Sequence, residues 1–529
     1  MCCHLLTVLL VVAPPPAKML AADVMPYSRL APAKVQPGLC TLTYRISTQS
    51  PECQKFFDQG LGYFYSYVWH EAARSFETAA RHDPECAMAW LGLSKALSQW
   101  SSRSSKAQDA LKKAYELRQN ASYSEKQLIE ARAMEKGIAK DAPPVDGNAR
   151  KLAAQKILDE LIVLYPDDEE AWMSRGNLAA DDKFFGGNPA SALYYLSVIK
   201  LNPLHPGANH ELLHRYEYGQ RPTLGWIYSE KYIESSPGIP HSWHMQGHLA
   251  TRLGRWEKAA DQALKSIALQ RQHNHLWKLK PNDDHQWSHH LETCLQILTH
   301  QGRYREARQV YDEMLSLKFN TPEAFARFLY QSHDDAGLQK WLDEARTKNK
   351  NTVNYYAALL QLRRGDLTKA QPEIDALEEA LKKNPKDTKL QNKVWETRGL
   401  AQCKGGMVDQ GLALLKKAAD ASKNDYQQHA WGHGAYYMEV WGLAALTAGR
   451  DAMAEEAFLE ALAHDPGSFQ GALGLQVLCE RQGKTDEAKV YQAMAEKAWQ
   501  HAEVKVYTSA VAEVRQSKSP STLSTRAGQ

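Results

Sequence analysis

The sequence has no run of like charge, no C-x-x-C pair and no apolar stretch of transmembrane length, and each absence removes a class of function. With 64 Lys and Arg against 61 Asp and Glu in 529 residues, the formal net charge is only +3. That balance leaves no electrostatic footprint for a nucleic acid or an anionic membrane. Beyond the adjacent Cys2 and Cys3, the other six cysteines are scattered, which speaks against a zinc ribbon or a disulfide scaffold. Cys40 and Cys53 could bridge in an oxidising compartment, with free thiols as the expected state. No phosphate-cradling glycine loop, no serine nucleophile turn and no grouped pair of carboxylates stands out, so the common enzyme signatures are missing. The apolar stretch at residues 5–13 is too short to cross a bilayer. Residues 1–22 read instead as a weak secretory signal without the customary Lys or Arg in front, which predicts export, with a cytoplasmic chain as the alternative.

What is present is a core. Hydrophobic residues make up 43% of the chain and charged residues 24%, the balance of a folded protein. Small residues recur at fixed offsets, as paired helices require where they pack closely. The segment from 56 to 90 carries Phe56, Gly60, Tyr63, Ala72, Phe76, Ala79 and Pro84, and then Trp90, 34 residues after Phe56. Further units show a turn glycine five residues before a small residue: Gly254 and Ala259, Gly302 and Ala307, Gly365 and Ala370, Gly406 and Gly411, Gly449 and Ala454, Gly483 and Ala488. The glycine allows a left-handed turn and the small residue lets the helices touch. Ala154, Leu158, Leu161 and Pro166 precede Trp172 in the same way that Pro84 precedes Trp90. Trp90, Trp172, Trp243, Trp395 and Trp441 read as packing residues of this frame. In all, roughly nine to eleven units are expected.

The pattern predicts an all-α, tetratricopeptide-type helical-repeat solenoid, a right-handed superhelix of helix pairs with a concave inner surface. A lead-in over 23–50 contains one strand-like alternation, "CTLTYRIST" at 40–48. Amino-terminal units occupy 51–139, a linker 140–150, the main array 151–505 and a partly disordered tail 506–529.

From about Gly38 to Trp499 the chain resembles the large bacterial tetratricopeptide repeat proteins. The resemblance is carried by "FFDQGL" with "HEAARSF" and "DPECAMAW", by "HPGANHELLH", by "HMQGHLATRLGRWEKA" and by "GLAALTAGRDAMAEEAFLEALAHDP". It implies an interaction or assembly module, and, with the signal, a place in the periplasm or at the cell surface. The expected partner is a protein or peptide in the concave groove, with no nucleic acid and no catalytic activity.

"HELLH" at 210–214 matches the zinc-peptidase signature, in which His210 and His214 would hold zinc and Glu211 would activate water. The repeat frame explains the pair differently. His210 and His214 fall on the fifth and ninth places of a first helix, and His244 and His248 take the same places 34 residues later. Equivalent places stack side by side, and no glutamate follows His244, so Glu211 reads as incidental. The resemblance implies that the second, fifth and ninth places face the groove. That adds His241, His289 and Glu292, with His205 and His285 just ahead of their helices. His210, His214, His244 and His248 could alternatively converge on one zinc or copper ion, in a metal carrier or a metal-dependent hydrolase. Otherwise no cofactor is expected. The segment 273–292 gathers His273, His275, Asp283, Asp284, His285, His289 and His290 and breaks the regular spacing, as either a cover over the groove or a solvated connector. His429 with His433, and His70, are expected to cap or pack.

Overall fold

The computed structural model describes residues 24–144, 147–179, 189–219, 221–423 and 435–516. The signal expected at 1–22, His429 and His433, and the tail from 517 lie outside them. Among the described residues there are twenty-five α-helices and no strand, and none of the helices is long and apolar enough to cross a membrane. The fold is the expected helical-repeat solenoid. First and second helices pair antiparallel, as in Pro51–Tyr65 with Trp69–His82 and Pro240–Arg252 with Trp256–Trp277.

Two devices written in the repeat set the pairing. All six turn glycines named above are left-handed, with φ from +64° at Gly254 to +89° at Gly406. In the first unit the corresponding place holds Tyr67, also left-handed at φ +59°, where a side chain costs energy that a glycine would not. The second device is one phenylalanine seated between two glycines. A Cβ at Gly60 would lie 2.7 Å from the Phe76 ring and one at Gly92 would lie 2.6 Å from it. Phe458 sits between Gly442 and Gly474 in the same manner, at 2.5 and 2.2 Å. The ring occupies the volume that the glycines leave empty, so three helices close on it.

Trp90, Trp172 and Trp243 are only half-buried. Each indole N–H donates to the carbonyl of a proline six residues earlier, Pro84 at 2.9 Å, Pro166 at 2.8 Å and Pro237 at 3.0 Å. The proline-to-tryptophan spacing therefore pins the inter-unit turn, and of the five tryptophans Trp441 is the one fully enclosed in the core.

The alternating segment 40–48 runs extended without forming a strand. Side chains take several of its amides where a strand would need a partner ladder: Tyr44 N–H donates to Asp58, Ile46 to Gln54 and Ser47 to Glu125. Thr41 N–H donates to the Ser235 carbonyl at 2.8 Å, tying the lead-in to the middle of the chain. Cys40 lies against the Ser236 hydroxyl at 3.5 Å. Cys53 adjoins Cys86, with both thiols buried and free, so the close cysteine pair is not Cys40 with Cys53.

On either side of 140–150, helices Tyr123–Glu135 and Gly147–Leu164 pack together and share a hydrophobic core that runs from Ala33 to Ile239. Two further large cores cover 250–394 and 412–514. Helix Val504–Gln516 continues the array into the region expected to be tail. The carboxy-terminal units fold back on the middle of the chain. Asp465 accepts from the Trp256 indole at 2.8 Å and meets His300 Nε2 at 3.0 Å, while the Trp499 indole donates to the His300 carbonyl at 2.8 Å. Glu503 accepts from the Tyr304 and Arg305 amides.

Replacing Phe76 by Ala leaves a void between two glycines that cannot fill it. The expected loss is about 3–5 kcal/mol, read from the urea midpoint at unchanged slope. A loss below about 1 kcal/mol would show that the helices collapse onto the gap.

Candidate metal centre

Helix Pro206–Glu217 starts on a cap of its own sequence. His205 accepts the Ala208 amide on Nδ1 at 3.2 Å and Pro206 takes the first helical position. One turn apart, His210 and His214 then project from one face. Helix Pro240–Arg252 presents His241, His244 and His248, and helix His285–His300 presents His289 and His290. The three helices bring these seven histidines together. Their ring nitrogens form three overlapping groups, each within 4.8 Å: His210, His214 and His241; His241, His244 and His290; His244, His248 and His289.

Six of the seven rings are buried, and His289 is half-buried. His210 is 0% exposed, His244 1% and His214 7%. Tyr67 lies over it, with its ring centroid 4.4 Å from that of His210 and 5.9 Å from that of His214, and Tyr232 stacks on His210 from another side. Burial, and then the neighbouring imidazoles, hold His210, His241, His244 and His290 well below the usual histidine range, and His289 falls to about 3 for the same reasons. Glu217 lies between two of the histidines, with Oε1 2.9 Å from His248 Nδ1 and Oε2 3.3 Å from His214 Nδ1. Burial pushes its carboxyl upward, but His248 and His214 together hold it well below the ordinary range.

The hydrogen bonds contain a shortage. His210 Nδ1 lies 2.8 Å from the Tyr65 carbonyl, His210 Nε2 3.1 Å from His241 Nε2, His241 Nδ1 3.4 Å from His290 Nε2, and His290 Nδ1 3.1 Å from Gln270 Oε1. Both ends of this row are acceptors. The carbonyl can only accept, and Gln270 is held in orientation because its amide nitrogen donates to the Asp284 carboxylate at 2.6 Å. Four contacts need four hydrogens. Three neutral imidazoles carry one N–H each, so one contact sets two bare nitrogens against each other. A charged imidazole would repair it, but burial among other imidazoles opposes that charge. A metal cation between the nitrogens repairs it equally well, and two nitrogens bound at 2.0–2.1 Å to a tetrahedral ion stand about 3.3 Å apart.

Several expected site residues stand elsewhere. His205 is spent on its cap and lies edge-on to the Tyr65 ring, and burial takes it to about 3. His285 is exposed at the start of its helix, and Glu292, half-buried, faces Gln296. His210, His214, His244 and His248 do not meet as one group, because the first two join His241 and the last two join His289. Glu211 accepts from the Tyr67 hydroxyl at 2.7 Å, and burial raises its pKa. It is not placed as a general base on the histidines. His70 and His273 flank Glu71 in a separate group, where the Arg74 guanidinium 3.1 Å from Glu71 already supplies the positive charge. The interrupted spacing at 273–292 comes from extra turns on helix Trp256–Trp277, and Asp284 caps the helix that follows.

The sequence places His290 in the 273–292 segment but not among the groove residues. Gln286, His290, Cys294 and Ile297 are all buried along one face of their helix, and that spacing was the available signal. Tyr65 and Tyr67 come from the first unit and left no local mark, whereas Glu217 stands three residues after His214 on the same helix and Gln270 on the second helix of the unit that carries His241, His244 and His248.

With the fold and these residues in view, residues 57–124 match the family model described as tetratricopeptide repeat. No curated protein matches the chain. Among solved structures, "Human IFIT1 dimer with m7Gppp-AAAA" is 14% identical over 85% of this chain and 90% of that one, with a TM-score of 0.30. "Crystal structure of APC/C hetero-tetramer Cut9-Hcn1" is 14% identical over 80% and 76%, with a TM-score of 0.32. Residues 57–124 thus carry the tetratricopeptide repeat, within the helical-repeat solenoid described above.

Two outcomes follow from the desolvated cluster. In metal-free protein, histidines with depressed pKa keep their stability above the ordinary value of 6.5 and lose it as pH falls toward about 3. In that window the unfolded chain binds the extra protons. Acid unfolding followed by circular dichroism should begin just below pH 6.5, at about 1.4 kcal/mol per pH unit for each such histidine. A flat profile down to pH 4 would contradict the burial. Separately, Tyr67→Phe strands the Glu211 carboxyl without its donor and should cost about 1–3 kcal/mol, whereas an unchanged thermal midpoint would mean that Glu211 finds another partner.

Proposed function

We propose that this protein is a helical-repeat scaffold holding a transition-metal cation of the zinc or copper class in its histidine interior. Helical repeats of this kind serve in general as protein-interaction scaffolds, and a metal centre sets the shape of the surface that such a scaffold presents. The observation that carries the reading is the row of three imidazoles between two fixed acceptors, one hydrogen short when neutral. Two further features support it. The donors are all imidazole nitrogens, which suit zinc, copper or nickel over calcium or magnesium. His210, His214, His248 and His290 each turn Nδ1 toward a carbonyl or carboxylate oxygen, leaving Nε2 inward, as metal-binding histidines do.

A histidine-lined peptide groove draws less support, because the rings lie beneath Tyr67 and helix His285–His300. Any partner would dock on the outer faces of the array. A hydrolase draws less support as well, since Glu211 is engaged by Tyr67.

The test is elemental analysis of the untagged chain after exposure to zinc, copper, nickel and cobalt and removal of excess by gel filtration. At least one equivalent should remain on the wild type, and the His210→Gln/His241→Gln/His290→Gln variant should retain less than the wild type, with unchanged helical circular dichroism. A wild type that retains none of the four metals would end the proposal.

A further inference from the structure

The arrangement of the seven imidazoles goes beyond a single ion, and we infer that the centre takes two cations, one on His210, His214 and His241 and one on His244, His248 and His289. The inference rests on the metal reading above. The first and third groups share no residue, whereas the middle group borrows His241 from one and His244 from the other. Six ligands therefore divide into two complete triads, and His290 is left between them as a fourth ligand for either. The division follows the repeat. Each triad takes a pair of histidines one helical turn apart from the first helix of one unit and a single imidazole from the first helix of the next. Stacking equivalent units reproduces one three-nitrogen site beside the other.

The second observation is Glu217. It is 0% exposed and spans the triads, with Oε2 at His214 Nδ1 in the first and Oε1 at His248 Nδ1 in the second. A carboxylate on Nδ1 fixes the ring so that Nε2 is the ligand atom. One buried carboxylate thus orients a ligand of each ion and sets a negative charge between two positive ones, which lowers the cost of placing both in a dry interior. A centre for one ion would give Glu217 one histidine to orient. Here it has one from each triad, and their centroids are linked through neighbouring rings at 4.2–5.5 Å: His244 to His248, and His241 to His244. Glu217 is a positioning residue in this scheme, and the six histidines are the ligands.

The experiment is a stoichiometric titration of the chelator-stripped full chain with zinc, against a chromophoric chelator, with elemental analysis after desalting. Two equivalents are expected on the wild type. One is expected on the His210→Gln/His214→Gln variant and one on the His248→Gln/His289→Gln variant, each checked by circular dichroism. Glu217→Gln should weaken both binding events by about 10–100-fold, where weakening of one alone would overturn its spanning role. A wild type saturating at one equivalent overturns the two-ion inference and leaves the metal reading standing. A wild type that binds none removes both. If the double variants do not fold, the wild type loaded with copper(II) still decides. A spin-coupled paramagnetic spectrum at full loading is expected, and the spectrum of isolated ions would overturn the inference.

Discussion

A neutral imidazole has one N–H and two nitrogens to satisfy, and packing seven of them together, six of them buried, makes that arithmetic the governing constraint of the middle of this chain. Three helices, Pro206–Glu217, Pro240–Arg252 and His285–His300, must approach closely enough for ring nitrogens to meet at 3.1 and 3.4 Å. The acceptor at one end of the row is Tyr65, in the last turn of its helix, where a carbonyl has no partner within the helix. The next carbonyl, Ser66, accepts from Gln286 at 3.2 Å. The end of helix Pro51–Tyr65 is therefore completed by side chains of the cluster, and the cluster by the end of that helix. Neither is satisfied alone.

The same economy explains where the repeat departs from its own rules. Six turns use glycine where the backbone is left-handed, and the first uses tyrosine. The ring that results covers His210 and His214, and its hydroxyl reaches Glu211. A strained residue kept in place of an easy one is the kind of local conflict that functional positions show. The long helix Trp256–Trp277 is a second departure. Its extra turns carry Gln270 to His290 and to Asp284, so an irregular stretch of sequence becomes the support of the row's far end.

The solenoid was legible because its determinants are local and periodic. A glycine before a small residue states a turn, and a phenylalanine sixteen residues from two glycines states a three-helix contact. Periodicity also brought out the stack of His210 and His214 beside His244 and His248, and the resemblance added His241. It could not place the histidines of helix His285–His300 in that stack, because the extra turns of helix Trp256–Trp277 break the repeat spacing before it. His285 was favoured and His290 passed over for this reason. The strand-like 40–48 misled in another way. Alternation there serves the faces of a strap whose amides are taken by Asp58, Gln54 and Glu125, and no pattern within the segment distinguishes those acceptors from a neighbouring strand.

The contact between the carboxy-terminal units and the middle of the chain changes what kind of object the array is. A helical-repeat protein whose units touch only their neighbours behaves as a spring, able to extend under load and to shed end units one at a time. Here Asp465 joins Trp256 and His300 across 209 and 165 positions of sequence, and Trp499 reaches the same His300. The span from 256 to 465 becomes a closed loop, and closing a long loop costs little more entropy than closing a short one. With its ends latched, that half resists stretching until the latch opens, and its units gain or lose order together.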